Sequence, residues 1–279
     1  MNQDEICKAA LWKTEQEILD VVHEICTDNN LRYSLAYGTL IGAVRHKGFI
    51  PWDDDIDIIM PRDDYEKLIS IWERVAPADY ILQNKETDPD FTQSFTKIRK
   101  RHTTFLQDES ERWKNYHKGI FIDIFPGDRV APTRLLQTEQ FVFCCISLLY
   151  SREHISESNG LVGLVERILL IAPRNQRKVY RELAQKRIER WKHLESAPFF
   201  FPSTIIDAKK KYPSNMFSKL KTIEFCGKEY LCVADPDTVL RIDYGDYMSL
   251  PPESERTWKH HPIILDFEHD LEEIDNGKE

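Results

Sequence analysis

The chain predicts an α/β (α+β) architecture, a mixed β-sheet flanked by helices with a helical extension, on three observations. Short apolar strand candidates alternate with amphipathic helices through the first half of the 279 residues. Purely helical periodicity takes over near Thr133. Hydrophobic residues at 41% and charged residues at 30% are ordinary for a folded domain, and the length suffices for a substantial core.

A helix is predicted from about Glu5 to Asn29, because Leu11, Ile18, Val22 and Ile25 recur at helical spacing. A short strand over Arg32 to Ala36 leads to the Gly38-Thr39 turn and a helix from Leu40 to His46, with Thr39 placed to cap it. Gly48 and Pro51 make Gly48 to Trp52 a loop, and Asp55 to Ile59 reads as a strand ended by Pro61. A helix over Asp63 to Val75 follows, then strands at Tyr80 to Gln83, Phe95 to Arg99 and Gly119 to Phe125. Thr133 to Leu194 reads as helices broken around Ser156 to Gly160 and at Pro173. A hairpin, Thr222 to Phe225 with Tyr230 to Val233 around Gly227, precedes a short helix and the Pro-containing segment Tyr244 to Pro252. The expected division is a core over residues 1–130 and a helical region with a returning C-terminal segment over 131–279.

The 38 Lys and Arg against 47 Asp and Glu give a net charge of −9, which argues against nonspecific nucleic-acid binding. Six cysteines are too few for a disulfide scaffold and the N-terminus has no secretory apolar stretch, so a cytoplasmic protein is expected. Phe141 to Tyr150 and Leu161 to Ala172 are apolar but shorter than the roughly 20 residues of a spanning helix. They read as buried helices, with a peripheral membrane-docking surface as the alternative.

In Asp53-Asp54-Asp55-Ile56-Asp57, the two-residue strand repeat puts Asp55 and Asp57 on one face while Ile56 and Ile58 point into a core. Two converging carboxylates repel unless a cation neutralises them, and oxygen-only donors favour Mg2+ or Mn2+. Asp53, nearer the loop, is a further candidate ligand, with a solvated acidic loop as its plain alternative. Asp123 is the sole charge in the apolar strand Gly119 to Phe125. Either it caps a turn near Pro126-Gly127, or it meets the same cation as a third ligand or base.

Gly38 and Thr39 precede a helix N-terminus, where free N–H groups favour a phosphate; Gly42 permits close approach of a ligand or of another backbone. Lys97 and Arg99 share a strand face, and Arg45 and Lys47 end the helix that follows the glycine turn. These cations suit a diphosphate, with surface ion pairs as the alternative.

The run Tyr37 to Asp57, with Gly38-Thr39 followed by Asp55-Ile56-Asp57, resembles the signature of the LicD family. The segments Lys97-Ile98-Arg99, Thr103-Thr104-Phe105, Ile120 to Pro126 and Tyr244-Gly245-Asp246-Tyr247 with Pro251-Pro252 extend the resemblance over most of Leu31 to Pro262, leaving Thr133 to Thr204 without a matching motif. The resemblance implies a nucleotidyltransferase-like fold and phosphocholine transfer from CDP-choline to a lipid-linked glycan precursor of teichoic acid or lipopolysaccharide type. That reaction would release CMP at the cytoplasmic membrane face, with the helical region on the acceptor side. Transfer of another phospho-substituent, phosphoethanolamine or ribitol phosphate, or of a nucleotide is the alternative, and a non-catalytic scaffold of a glycan-assembly complex is the rival of another class. The resemblance further implies that Asp246, His260 and His261 close over the site, with simple terminal packing as the alternative; Trp52, Tyr37 and Phe125 are candidates for an aromatic face to a quaternary ammonium, with core packing as theirs. Asp123 is expected to accept the acceptor's proton as the least solvated carboxylate.

Overall fold

The computed structural model describes residues 3–88, 90–151 and 173–276. Helix α1 (Gln3–Asp28) leads through β1 (Ser34–Leu35) into α2 (Tyr37–His46). Strand β2 (Asp57–Pro61), helix α3 (Arg62–Val75) and strands β3 (Tyr80–Gln83), β4 (Thr96–Lys100), β5 (Thr104–Leu106) and β6 (Phe121–Arg129) complete the first half. The second half carries α4 (Arg134–Ser151), α5 (Arg174–Ile188), β7 (Phe199–Phe200), the hairpin β8 (Leu220–Phe225) and β9 (Lys228–Val233), α6 (Pro236–Tyr244), β10 (Ile264–Asp266) and α7 (Leu271–Asn276). The Ser156 to Gly160 break and the Leu161 to Ala172 stretch lie outside the described residues.

Six strands form a mixed sheet in the order β1-β2-β6-β4-β3, with β7 joining the far end of β6, while β5 with β10 and β8 with β9 form separate two-stranded sheets. Only β2 and β6 run parallel; the other pairs are antiparallel. The period-2 pattern separates its faces. Ile58, Ile98, Ile122 and Ile124 are fully buried, and on the same side Lys100 pairs with Glu17 of α1 at 2.5 Å and Thr96 meets Tyr65 of α3 at 2.6 Å. Helices α1 and α3 therefore close one face, leaving Asp57, Asp123, Lys97 and Arg99 to the other.

The structure departs from sequence expectation at several places. Strand β6 continues through Pro126 and Gly127, which pair with Met60 and Pro61, so no turn lies there for Asp123 to cap. Strands β5 and β10, short and more than 150 residues apart, pair antiparallel and were not expected. The apolar run in α4 is only partly buried: Gln140, Cys144, Ser147 and Ser151 turn inward while Val142 is 49% exposed. Among the described residues no helix is long and apolar enough to cross a membrane.

Candidate active site

The acidic segment is shaped by what holds its backbone. Trp12 Nε1 of α1 donates to the Asp53 carbonyl at 2.9 Å, and Lys8 Nζ donates to that of Pro51 at 2.7 Å. Strand β2 begins only at Asp57, so Asp55 lies in the segment before it. Thr39 is not a cap: α2 starts at Tyr37 after Ala36, and the buried Thr39 hydroxyl accepts from the Asp57 N–H at 2.8 Å. Helix α2 thus fixes where β2 starts, and with it the direction of the Asp57 carboxyl.

The glycines serve close approach. A Cβ on Gly38 would lie 2.2 Å from Asp53 Oδ2, so the carboxylate of Asp53 occupies the place against the first turn of α2 that a phosphate was expected to fill. A Cβ on Gly42 would lie 2.3 Å from the Gly48 carbonyl, which shows that Gly42 admits backbone, not ligand.

Parallel pairing sets Asp57 directly beside Asp123, about 4.8 Å away in strand spacing, and Asp123 pairs on its other side with Lys97. Lys97 Nζ reaches Asp123 Oδ1 at 2.7 Å and sits 3.3 Å from the centre of the Phe121 ring, over which Arg99 also lies at 4.8 Å. Arg99 donates to Gln83 Oε1 and the Gly119 carbonyl. These groups meet a cavity of about 800 Å³ lined by Asp123, Lys97, Arg99, His260, Phe95 and Tyr116 among others.

Negative charge is in excess here. Burial, then Asp53, pushes the Asp55 carboxyl up to about 7, with Asp123 adding to the rise. Burial, then Asp55 and Asp123, raises Asp57 well above the carboxylate range, and burial also raises Asp53. Asp54 is held low because hydrogen bonds from His260 outweigh its burial: the His260 N–H donates to Oδ2 at 2.8 Å, and the ring Nδ1 lies 3.1 Å from Oδ1. The ring is also 3.7 Å from Asp55 Oδ2, and Lys259 Nζ is 3.8 Å from Asp53 Oδ1. Asp54, Asp55 and His260 bring one ligand atom each within 4.8 Å of one another.

Asp54 was passed over as part of an acidic loop, and two further members were missed by sequence reasoning. Glu15 of α1 is 2% exposed, and burial followed by the charges of Asp55, Asp54, Asp53 and Asp57 raises its carboxyl strongly. It lies in phase with the apolar stripe of Leu11, Ile18, Val22 and Ile25, a charge in a buried register that could have revealed it. Lys259 carried no comparable signal. The expectation that Asp123 is the least solvated carboxylate is wrong: at 9% it is more exposed than Asp53, Asp54 and Asp128, at 3%, 1% and 0%.

Other expected residues lie elsewhere. Arg45 donates to the Tyr247 carbonyl at 2.7 Å, while Lys47 pairs with Glu224 on the hairpin at 2.6 Å, and neither lines the cavity. Trp52 is half-buried beneath Arg256, 5.4 Å from its ring centre. Asp246 is exposed and accepts from the Ser249 hydroxyl, and His261 is exposed. Of the C-terminal residues expected over the site, the structure brings His260 to the carboxylates and leaves Asp246 and His261 at the surface.

The fold is a mixed α+β domain whose sheet presents paired carboxylates beside a glycine-bearing helix. The family model described as "LicD/FKTN/FKRP, nucleotidyltransferase domain" matches residues 30–143. The chain is 31% identical over 254 residues to the lipopolysaccharide cholinephosphotransferase LicD of Haemophilus influenzae, covering 87% of this chain and 92% of that protein. An uncharacterized protein of Rickettsia prowazekii is 48% identical over 48 residues, 17% of this chain and 18% of its own. The chain belongs to the LicD family and is an enzyme of the transferase class.

Proposed function

We propose that this enzyme transfers phosphocholine from CDP-choline to a hydroxyl of a lipid-linked, cell-surface glycan precursor of lipopolysaccharide or teichoic acid type, releasing CMP. The single observation that carries the chemistry is the side-by-side placement of Asp57, Asp123 and Lys97 on neighbouring strands, with Asp123 and Lys97 at the wall of one cavity. The choline and the glycan come from the printed name of the Haemophilus influenzae relative. The cavity suits such a donor: Phe91, Phe95 and Tyr116 line it, with Phe91 at right angles to both other rings, and aromatic faces attract a quaternary ammonium.

The donor set fits a divalent cation. Asp53, Asp55, Asp57 and Asp123 crowd together, faced among the described residues by Lys97, Lys259 and His260; burial first and then mutual repulsion raise the carboxyls of Asp53, Asp55 and Asp57, a cost that added positive charge would relieve. Oxygen donors suit Mg2+ or Mn2+, which Asp55, Asp57 and Asp123 would hold with Asp53 at the edge, beside the group of Asp54, Asp55 and His260 whose ligand atoms already lie within 4.8 Å of one another. Such an ion supplies charge neutralisation for a diphosphate. Lys97 and Arg99 orient the phosphates, while Asp123, which lines the cavity, takes the proton of the acceptor hydroxyl. The acceptor oxygen forms its bond to the choline-bearing phosphorus as the bond from that phosphorus to the bridging oxygen breaks, and CMP leaves with the electron pair. The reaction takes place on the cytoplasmic side of the membrane, with the enzyme peripheral to it.

Labelled CDP-choline incubated with candidate glycans, with and without Mg2+, tests this. Expected is CMP release that requires both acceptor and cation, with product mass increased by phosphocholine. If CDP-choline neither binds nor reacts while another cytidine diphosphate compound does, the donor assignment falls.

A further inference from the structure

A second cleft, of about 710 Å³, lies between α3, the end of β3 and α5. Two of the cations at its wall, Arg181 and Lys85, are at least half-buried and make no ion pair among the described residues. Arg181 of α5 is 7% exposed; its Nη1 donates to the Thr92 carbonyl at 3.0 Å, and its buried Nε has no hydrogen-bond partner. Lys85, half-buried just after β3, makes no ion pair among the described residues. Burial lowers the pKa of both, and the charges of Arg62 and Arg181 add to the lowering at Lys85 against Glu189 and Glu86.

The acids of the cleft do not compensate them. Glu189 is held by Arg62 at 3.5 Å and by Gln185 at 2.7 Å, and Glu66 is taken by Lys192 at 2.9 Å. Glu86 and Glu182 are exposed at the rim. A buried guanidinium without a counter-ion is costly, so a site built this way is stabilised by a bound anion. Gln93 and Ser94 also line the cleft and offer the polar groups that sugar hydroxyls require. Gln93 and Phe95 belong to the walls of both this cleft and the cavity beside Asp123, so a ligand in one lies next to the other.

We infer that this cleft is an acceptor subsite for an acidic saccharide, whose phosphate or carboxylate substituent sits between Arg181 and Lys85. The acceptor role rests on the glycan-transfer function proposed above; the anion site stands on Arg181 and Lys85 alone.

Calorimetric titration of the full-length protein with glucose 6-phosphate, glucuronate and glucose tests it without turnover. At least one acidic sugar is expected to bind ten or more times tighter than glucose, and which one does so separates phosphate from carboxylate. Lys85→Gln, and Lys85→Gln with Arg181→Gln, should each weaken that binding at least tenfold, while Lys85→Arg restores it. The half-buried Lys85 keeps the test available if Arg181→Gln does not fold. Equal binding of all three sugars, or acidic-sugar binding unchanged by Lys85→Gln, overturns the inference. Tight, Lys85-dependent binding in an enzyme that modifies no glycan keeps the anion site and removes only the acceptor role.

Discussion

Strands β2 and β6 lie side by side and parallel, yet their two ends handle charge in opposite ways. Where they begin, Asp57 stands beside Asp123, and Asp53, Asp55 and Glu15 crowd around them. Where they end, Arg62 grips Asp128 with two hydrogen bonds of 2.9 and 2.7 Å, and Asp128 is fully buried. The second arrangement is complete: a bidentate pair in which each charge has its partner. The first leaves repulsion that the protein's own cations do not cancel. Balanced buried charge fixes the fold, whereas unbalanced buried charge marks where a ligand belongs.

That contrast can be broken at either end. Asp57→Asn or Asp123→Asn should reduce turnover on the order of a thousandfold, since each removes a group acting on the charge of the transferred phosphate. The melting temperature of Asp57→Asn should stay level or rise without divalent cations, because repulsion is relieved; a large fall in melting temperature would make Asp57 structural. At the other end, Arg62→Met should cost about 3–5 kcal/mol in urea denaturation, because Asp128 is left buried and unpaired. A loss within the scatter of surface substitutions would mean that the pair holds nothing.

Titration sharpens the comparison. Asp55 is raised from 3.8 to about 7, so the folded state binds its proton more tightly than the unfolded chain does. The stability this contributes is fully present below about pH 3.8 and is lost as pH rises through about 7. Without divalent cations the melting temperature should therefore fall as pH rises through that window, and Mg2+ or Mn2+ at neutral pH should restore it. A melting curve indifferent to both would show the acidic cluster to be compensated already.

Smaller effects are expected around it. Gly38→Ala places a methyl where Asp53 sits, and should reduce turnover about ten- to a hundredfold through misplacement of the acidic segment. Thr39→Val keeps the shape but removes the acceptor of the Asp57 N–H, and should cost about 1 kcal/mol in urea denaturation. An unchanged Thr39→Val protein would mean that water replaces the hydroxyl.

Much of the sheet was legible because its signals are local. Alternation around Asp57 set its carboxylate opposite the core-facing Ile56 and Ile58, the lone charge in an apolar run singled out Asp123, and Lys97 and Arg99 fell on one face of β4. The hairpin around Gly227 followed from turn chemistry and apolar flanks. The partners were less legible: a strand pattern gives a residue its face but not its neighbour strand, so the Lys97–Asp123 pair waited for the register. Arg45 and Lys47 looked like phosphate ligands because cations near a glycine turn read alike, whether they face a cavity or the Tyr247 carbonyl and Glu224. Phe141 to Tyr150 misled in a similar manner, since composition does not say which side of a helix turns inward.

By itself the sequence determined a mixed sheet, an Asp-x-Asp strand beginning, a lone acid on a neighbouring strand and a family resemblance, because each is carried by residues within a few positions of one another. Only the tertiary structure decided that Asp57, Asp123 and Lys97 stand in one row, that Glu15 lies beneath the acidic segment, and that Lys259 and His260 cover it from more than 200 residues away. Contacts of that separation depend on strand register and on how the chain returns, which no local periodicity encodes.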